Sequence, residues 1–490
     1  MRGCLIAVLI ALAGSPAALA HSPTAPVKLD TGLVVGLEHN RVEFFKGIPY
    51  AAPPVGPLRW RAPQPAAAWQ GTRVAEDYGA GCMQVPREGS ITGNPNAMSE
   101  DCLTLNVFRP QGAAKKLPVM VWIHGGGLTN GASGLPIHDG TAFARGGVIL
   151  VSINYRLGKL GFFAHPALEK DKADGAHFGN YGLLDQIAAL QWVKRNIAAF
   201  GGDADNVTIF GESAGGYSVL TLMVSPEARG LFHKVISQSG YGRGAYLSPA
   251  EADADGVNLA EALGAKAADA AALRALPADQ VVAQRSALTV FIKDGKTLPQ
   301  DIWDAFRKGQ EAPVPLMIGN NSQENPPVDI NSATVRSLIA PADDAVLEAA
   351  YGGRTQLLAH LGGDSTFGEH ARGIARLHSA NGRPTYLFVF GVVSPAAAAK
   401  GEGARHATDI HYVFDTLRAP PKPVQDPVPA IAKTMNGLWR AFAATGSPGP
   451  TWPKYDGQTV MSFTRDGASA GSDLRNPRLD ALTKIVGPKS

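Results

Sequence analysis

Residues 206–224 read NVTIFGESAGGYSVLTLMV, in which an apolar run, a glycine-flanked serine and a second apolar run follow one another. The first run, residues 207–210, has the composition of a buried strand, and residues 216–225 are typical of a helix. Between them lies the G-x-S-x-G motif, whose two glycines allow a turn tight enough to expose the hydroxyl of Ser213 at the strand end. The N-terminus of the following helix points its N–H groups at the same place. In this strand-to-helix setting we interpret Ser213 as a nucleophile, rather than as an incidental serine in a glycine-rich turn.

Alternation of strands and helices extends outward from this motif in both directions. Strand-like apolar runs occur at residues 103–108, 118–123, 148–154, 235–237, 314–319 and 385–390, and helical patterns at 180–200 and 428–445. Short apolar runs at 32–36 and 42–45 predict an antiparallel opening. The whole pattern predicts an α/β fold, with a central, mostly parallel sheet flanked by helices. An alanine-rich segment with helical spacing, residues 245–310, interrupts the alternation, and we expect it to pack over the sheet beside the functional site.

Composition and charge narrow the possible partners. The 490 residues carry 45 Lys and Arg against 42 Asp and Glu, a formal net charge of +3, and 45% of them are hydrophobic. This near-neutral balance argues against binding to nucleic acid or to an anionic membrane surface. The hydrophobic fraction excludes wholesale disorder.

The first twenty residues, MRGCLIAVLIALAGSPAALA, predict a cleavable signal peptide. They combine one Arg, an apolar run too short to span a bilayer and a small-x-small site ending at Ala20. We therefore expect a secreted or periplasmic chain, residues 21–490, without a stable membrane anchor. Cleavage removes Cys4 and leaves Cys82 and Cys102, an even pair that favours a disulfide in an exported protein. Closing a loop of about twenty residues would contribute about 3 kcal/mol.

A serine nucleophile needs donors that hold the oxyanion, and a glycine run supplies candidates. The sequence His124-Gly-Gly-Gly follows the strand predicted at 118–123. Backbone N–H groups of Gly126 and Gly127 are unobstructed there, and with the N–H of Ala214 they predict a three-donor oxyanion hole. A phosphate-binding glycine loop is disfavoured because no GK[ST] follows.

The orienting acid and the base are expected in that order after the serine. Glu324 lies just past the strand at 314–319 and is the predicted acid, with Asp329 as the alternative. His406, in a loop after the strand at 385–390, is the predicted base, whereas His411 lies in the apolar stretch HYVF and is interpreted as a core histidine. None of the twelve histidines forms a HExxH or HxxxH pair, so we expect no metal. A serine nucleophile with its base and acid needs no cofactor, and none is expected.

Beyond these motifs, long stretches resemble the type-B carboxylesterase family, which includes the cholinesterases and bacterial p-nitrobenzyl esterases. They include FKGIPYAAPPVGPLRW at 45–60, SEDCLTLNV at 99–107, VSINYRLGKLGF at 151–162 and GARHATDIHYVF at 403–414. The resemblance implies a single domain of α/β-hydrolase fold over residues 21–490, with helical insertions over the active-site edge. Residues 241–310 are the least family-like part and are expected to border the active site.

The resemblance also implies residue roles. It places the family's nucleophile, acid, base, oxyanion donors and first disulfide on Ser213, Glu324, His406, Gly126, Gly127, Ala214, Cys82 and Cys102. It implies that Glu212 supports the charged form of the histidine, although a buried structural carboxylate is an equal alternative. It also implies two structural ion pairs, Arg59 with Glu100 and Arg156 with Asp185.

The activity that the resemblance implies is hydrolysis of small carboxylic esters through an acyl-enzyme, with a lipase, an amidase or a non-catalytic recognition domain of the same fold as alternatives. Residues 83–101 contain no Trp, Tyr or Phe. They therefore lack the aromatic face that holds a quaternary ammonium in cholinesterases, which argues against choline esters. Leu128 replaces the family's usual aromatic residue after the glycines, which is expected to reshape the pocket. For Arg87 and Glu88 a solvated loop face is favoured over contact with a polar or acidic substrate.

Overall fold

The computed structural model describes residues 21–90, 92–112, 115–171, 179–244, 246–265, 269–284, 289–325, 327–337 and 339–486. The predicted signal peptide, residues 1–20, and Cys4 lie outside the described residues.

A sheet of twelve strands runs through the described part of the chain. Numbered along the sequence, its strands are β1 (Ser22–Pro23), β2 (Leu37–His39), β3 (Val42–Pro49), β4 (Thr104–Pro110), β5 (Leu117–Ile123), β6 (Ile149–Ile153), β7 (Gly202–Glu212), β8 (Lys234–Gln238), β9 (Leu316–Asn321), β10 (Thr385–Phe390), β11 (Thr459–Thr464) and β12 (Gly467–Ser472). Across the sheet they lie in the order β1-β2-β3-β4-β6-β5-β7-β8-β9-β10-β11-β12. Every pairing from β6 to β11 is parallel, and the pairings outside that block are antiparallel. The predicted α/β architecture and its antiparallel opening are confirmed.

Alternate side chains of the central strands enter two separate cores, because successive residues of a strand point to opposite faces. In β5, Val119 and Val121 join one apolar cluster, whereas Met120 and Trp122 join the other. Helices cover both faces: Tyr181–Asn196 and Ala214–Val224 on the first, Thr141–Arg145 and Pro429–Thr445 on the second. A sheet buried on both sides explains why its central strands read as continuous apolar runs.

The remaining elements lie around this sheet and its covering helices. Smaller sheets are formed by Val27–Lys28, Leu33–Val35 and Thr72–Val74, and by Gly81–Cys82 with Met98–Ser99. Further helices span Gly158–Gly161, Pro166–Lys170, Pro249–Ala262, Ala270–Arg274, Ala278–Ala283, Ile302–Arg307, Ala333–Arg336, Asp344–Tyr351, Arg354–Gly363, Glu369–Ala380, Pro395–Ala399, Ile410–Val413 and Asn476–Val486. Among the described residues, none of these helices combines the length and the apolar character needed to cross a membrane.

The described residues of the segment at 245–310 form four helices, Pro249–Ala262, Ala270–Arg274, Ala278–Ala283 and Ile302–Arg307, and the last of these contributes to the main core. Leu259, Leu273 and Val281 form a satellite cluster with Trp60 and Phe163. Part of the same segment lines a surface cavity that is described below.

Candidate active site

Ser213 lies where β7 ends and the helix Ala214–Val224 begins. Its backbone has φ +58° and ψ −121°, a conformation that L-residues rarely adopt. Gly215 faces the backbone oxygen of Ile123 so closely that no side chain would fit there. The glycines of the motif therefore let β7 and the helix pack tightly against β5, and this crowding holds the serine in its strained turn.

A continuous chain of hydrogen bonds joins three of the predicted site residues. Oγ of Ser213 lies 2.8 Å from Nε2 of His406, and Nδ1 of His406 lies 2.6 Å from Oε2 of Glu324. These residues are 193 and 82 positions apart in sequence. The fold thus brings to one place the three side chains that the sequence singled out as nucleophile, base and acid.

The carboxylate of Glu324 is fixed by two further donors. Its Oε1 accepts hydrogen bonds from the Ser239 hydroxyl at 2.6 Å and from the backbone N–H of Asn321 at 2.7 Å. Asp329, the alternative acid, is exposed, and its side chain accepts a bond from the backbone N–H of Asn331 instead. Of the two acids, Glu324 is the one in contact with the histidine.

Glu212 supplies a second buried carboxylate beside the same imidazole. Its Oε1 lies 3.2 Å from Nε2 of His406, and the residue is 2% exposed. Burial raises the pKa of Glu212, and the nearby acidic groups raise it further. Burial alone would lower the pKa of His406, but the charges of Glu212 and Glu324 outweigh it and raise that pKa. The two carboxylates therefore stabilise the cation that forms when His406 accepts a proton.

Asp409 is a member of this cluster that sequence reasoning missed. It is 0% exposed, accepts a 2.6 Å hydrogen bond from Nε2 of Gln238, and lies 3.2 Å from Nδ2 of Asn321. Burial raises the pKa of Asp409 to about 6, and the charge of Glu324 adds to the effect. The available signal was its place three residues after His406, an acid at the edge of an apolar stretch.

The glycine run after β5 adopts the loop geometry expected of an oxyanion cradle. Gly126 and Gly127 have φ of +105° and +65°, values that glycine adopts without strain. Within the described part of the chain, we find no acceptor for the backbone N–H of either residue. Ala214 is the first residue of its helix, so its N–H has no partner within the helix. At Gly125 a Cβ would lie 2.6 Å from the Glu212 backbone oxygen, so only glycine fits.

The serine opens into a cavity of about 280 Å³. Its described lining includes Ser213, His406, Glu212, Gly125, Gly126 and Arg87. Leu128 is not part of that described lining: it is buried in the main core, and its backbone oxygen accepts a hydrogen bond from Gly158. Arg87 and Glu88 are both exposed, as expected for a solvated loop face. Arg87 also lines the serine cavity, which that interpretation did not include.

The predicted structural contacts are present. Cys82 and Cys102 form a disulfide. Arg59 pairs with Glu100 at 2.5 Å. Arg156 pairs with Asp185 at 2.7 Å, fully buried.

His411, which the sequence predicts to be a core histidine, lies in the interior. His411 is 1% exposed, and its Nδ1 lies 2.9 Å from the backbone oxygen of Thr416. Burial lowers the pKa of His411. Across the residues described by the structure, no group of three or more His, Cys, Asp or Glu side chains is placed to hold a metal ion.

The mostly parallel sheet, with a glycine-flanked serine at the end of β7, defines an α/β-hydrolase fold. The family model described as the Carboxylesterase family matches residues 23–337 and 342–482. The chain therefore belongs to this family and is a carboxylic ester hydrolase.

Known relatives agree with this assignment. Para-nitrobenzyl esterase of Bacillus subtilis (strain 168) is 35% identical over 467 residues, covering 89% of this chain and 93% of the relative. Fumonisin B1 esterase of Sphingopyxis macrogoltabida is 35% identical over 500 residues, covering 93% and 89% respectively. A solved PNB esterase structure superposes with a TM-score of 0.82 at 32% identity, covering 93% of this chain and 99% of that one. The recognition of the family from sequence is confirmed.

Proposed function

We propose that the chain hydrolyses small carboxylic esters through an acyl-enzyme on Ser213. His406 takes the hydroxyl proton as Ser213 attacks the ester carbonyl, and then gives it to the leaving alcohol. Water, activated by the same imidazole, releases the acid in the second half of the cycle. The observation that carries the proposal is the unbroken chain of hydrogen bonds from Ser213 through His406 to Glu324, at 2.8 and 2.6 Å.

Two charges develop during the reaction, a negative one on the oxyanion and a positive one on the imidazole, and different groups stabilise each. The N–H groups of Gly126, Gly127 and Ala214 are assigned to the oxyanion, and loss of one such donor typically costs about 3–4 kcal/mol. Glu324 holds the imidazole in one tautomer and stabilises its cation, with Glu212 in a supporting role. No step of this cycle calls for a cofactor.

The substrate class follows from the relatives and from the loop at 83–101. Relatives named for para-nitrobenzyl esters support a small neutral ester as a working substrate. The loop offers no aromatic ring for a quaternary ammonium, which supports a preference other than choline esters.

Replacement of the nucleophile tests the proposal directly. Ser213→Ala should lower kcat on para-nitrobenzyl acetate by about a million-fold, by analogy with other serine triads. A fluorophosphonate probe should label the parent chain and leave the variant unlabelled. Activity of the variant within tenfold of the parent would overturn the assignment.

The acid is tested by a matched pair of variants. Glu324→Gln should lower kcat by about ten-thousand-fold, because the amide cannot stabilise the imidazolium. Asp329→Asn should leave kcat within about twofold, since Asp329 is exposed and bonded to Asn331. Loss of activity in the second variant alone would reassign the acid.

Two further assays distinguish the proposed esterase from the alternatives, a lipase and an amidase. A series of p-nitrophenyl esters from acetate to palmitate distinguishes an esterase from a lipase, and a matched anilide detects amidase activity. We expect the rate to fall with the longest chains and the anilide to be a poor substrate.

We also propose that the chain is exported after cleavage following Ala20. The composition of residues 1–20 supports this, and a disulfide such as Cys82–Cys102 persists in oxidising compartments. N-terminal sequencing of the exported protein should begin at His21. Recovery of an uncleaved chain from the cytosol would refute the proposal.

A further inference from the structure

The loop that carries Arg87 is held firmly beside the glycine run. Nε2 of Gln84 donates to the backbone oxygen of Gly131 at 2.8 Å, and the Gly131 N–H donates to Oε1 of Gln84 at 2.8 Å. Nδ2 of Asn130 donates to the backbone oxygen of Val85 at 2.6 Å. The position of Arg87 relative to the oxyanion loop is therefore set by hydrogen bonds on the residues just before it.

The backbone of Arg87 is fixed by its own contacts, while its guanidinium remains available. Its N–H donates to Oδ1 of Asn94 at 2.9 Å, and Nδ2 of Asn94 donates back to its carbonyl at 3.1 Å. Among the described residues, no carboxylate lies within ion-pair distance of the Arg87 guanidinium. An arginine without a protein counter-charge, held at a substrate cavity, is suited to binding an anion.

Arg87 lies between two cavities. One is the serine cavity of about 280 Å³, and the other is a neighbouring cavity of about 710 Å³. The second is lined by Glu88 and Lys159, and also by Val282 from the divergent segment. Lys159 is paired with Asp255, so its charge is already compensated. Within the described part of the chain, Arg87 is thus a cation without an ion-pair partner that lines both the serine cavity and the larger one.

The other titratable groups that line the serine cavity are two buried histidines and the pair formed by Glu212 and His406. Burial lowers the pKa of His124 to about 4 and that of His138 to about 3, so both are neutral at ordinary pH. Glu212 is engaged with His406. Among the described residues that line this cavity, Arg87 is therefore the cation with no carboxylate within ion-pair distance.

We propose that Arg87 binds a carboxylate carried by the substrate, so that the preferred substrates are esters with a free carboxylate, such as hemiesters of dicarboxylic acids. The inference rests on the proposed ester hydrolysis at Ser213 and specifies its substrate class. In this proposal Arg87 binds the carboxylate of the substrate and takes no part in breaking the ester bond.

Paired substrates and variants test this inference. The probes are monoethyl adipate and ethyl 5-carbamoylpentanoate, which replaces the carboxylate by a neutral amide of similar shape, assayed at about pH 7 where the carboxylate is ionised. The parent chain should favour the hemiester in kcat/KM. Arg87→Gln should lower kcat/KM for the hemiester by about tenfold, the usual scale of one charge-assisted hydrogen bond at an exposed site, mainly through KM.

The neutral ester and two further variants act as controls. Arg87→Gln should leave kcat/KM for the amide ester within about twofold, and Arg87→Lys should restore part of the preference for the hemiester. Glu88→Gln changes the charge of the neighbouring exposed residue and should not weaken the hemiester preference.

The outcomes separate the two proposals. An equal loss on both esters in Arg87→Gln, or an unchanged ratio between them, would overturn the role of Arg87 while ester hydrolysis at Ser213 stands. Hydrolysis of both esters that persists in Ser213→Ala would overturn the proposed mechanism instead.

Discussion

Replacing Glu212 by Gln should move the pH dependence of ester hydrolysis in a direction that the geometry fixes. Oε1 of Glu212 lies 3.2 Å from Nε2 of His406. At that distance, with an effective dielectric constant of about 20, Coulomb attraction between a carboxylate and an imidazolium is about 5 kcal/mol. Burial raises the pKa of Glu212, so the carboxyl is only partly ionised and the realised effect is smaller. We expect Glu212→Gln to lower the pKa of His406 by about one to two units.

The sign follows from the state in which His406 works. The base must be unprotonated to accept the proton of Ser213, and the neighbouring carboxylates raise the pKa of His406. Removing one carboxylate lowers that pKa, so the acidic limb of the kcat/KM profile should move to lower pH. At the same time kcat should fall by about tenfold, because the imidazolium formed in the transition state loses a counter-charge.

The assay is a pH–rate profile on a neutral ester, with Glu88→Gln as the control, since Glu88 is exposed. The control should reproduce the parent profile. An acidic limb of Glu212→Gln that stays in place or moves to higher pH would refute the electrostatic reasoning.

Three further variants test the scaffold. Replacing both Cys82 and Cys102 by Ala should lower the free energy of unfolding by about 3 kcal/mol in urea titrations, and an unchanged midpoint would contradict this. Asp185→Asn leaves a buried guanidinium without its counter-charge and should cost about 3–5 kcal/mol in the same titration, far more than an exposed pair. Gly125→Ala places a Cβ 2.6 Å from the end of β7 and should lower kcat at least about a hundredfold in a folded chain, as checked by circular dichroism; wild-type kcat would show that the loop has more room.

The features predictable from sequence were those with a strong local pattern. Nineteen residues, 206–224, contain the whole pattern of strand, glycine-flanked Ser213 and helix. The helices predicted at 180–200 and 428–445 are observed as Tyr181–Asn196 and Pro429–Thr445. The helix at 180–200 ends early because its last turn tightens into the 3-10 segment Ile197–Phe200.

The ends of a strand were harder to predict where backbone hydrogen bonds to a neighbouring strand, and not the side chains, define it. The apolar run at 207–210 is the buried centre of β7. Of the five residues before it, 202–206, only Gly202 is paired with β5, and the register of the pairing shifts between Gly202 and Val207. The edge strand β12, Gly467–Ser472, consists of small, mostly exposed residues and carries no apolar alternation.

Contacts across the sheet edge could not be predicted from local pattern. Ser239 donates a hydrogen bond to Glu324, 85 positions away in sequence. Gln238 donates one to Asp409, 171 positions away. Each is an ordinary polar residue in its own segment. The parallel pairing of β8 with β9 places Ser239 next to the segment that carries Glu324, whereas Asp409 comes from the segment after β10. Chain order and strand ends constrain where the predicted acid and base can lie, whereas no local pattern points to the residues that contact them.

The loop carrying Arg87 and the residues around Ser213 belong to parts of the fold that can change independently. The nucleophile and its partners follow strands of one rigid sheet, while the loop is joined to that sheet by a disulfide and a few side-chain bonds from Gln84 and Asn130. Substitutions at Arg87 leave these bonds in place and can therefore alter which esters are accepted without moving the glycine run. For directed evolution, the two halves of the pocket can be randomised in separate libraries, and gains in selectivity need not come at the expense of turnover.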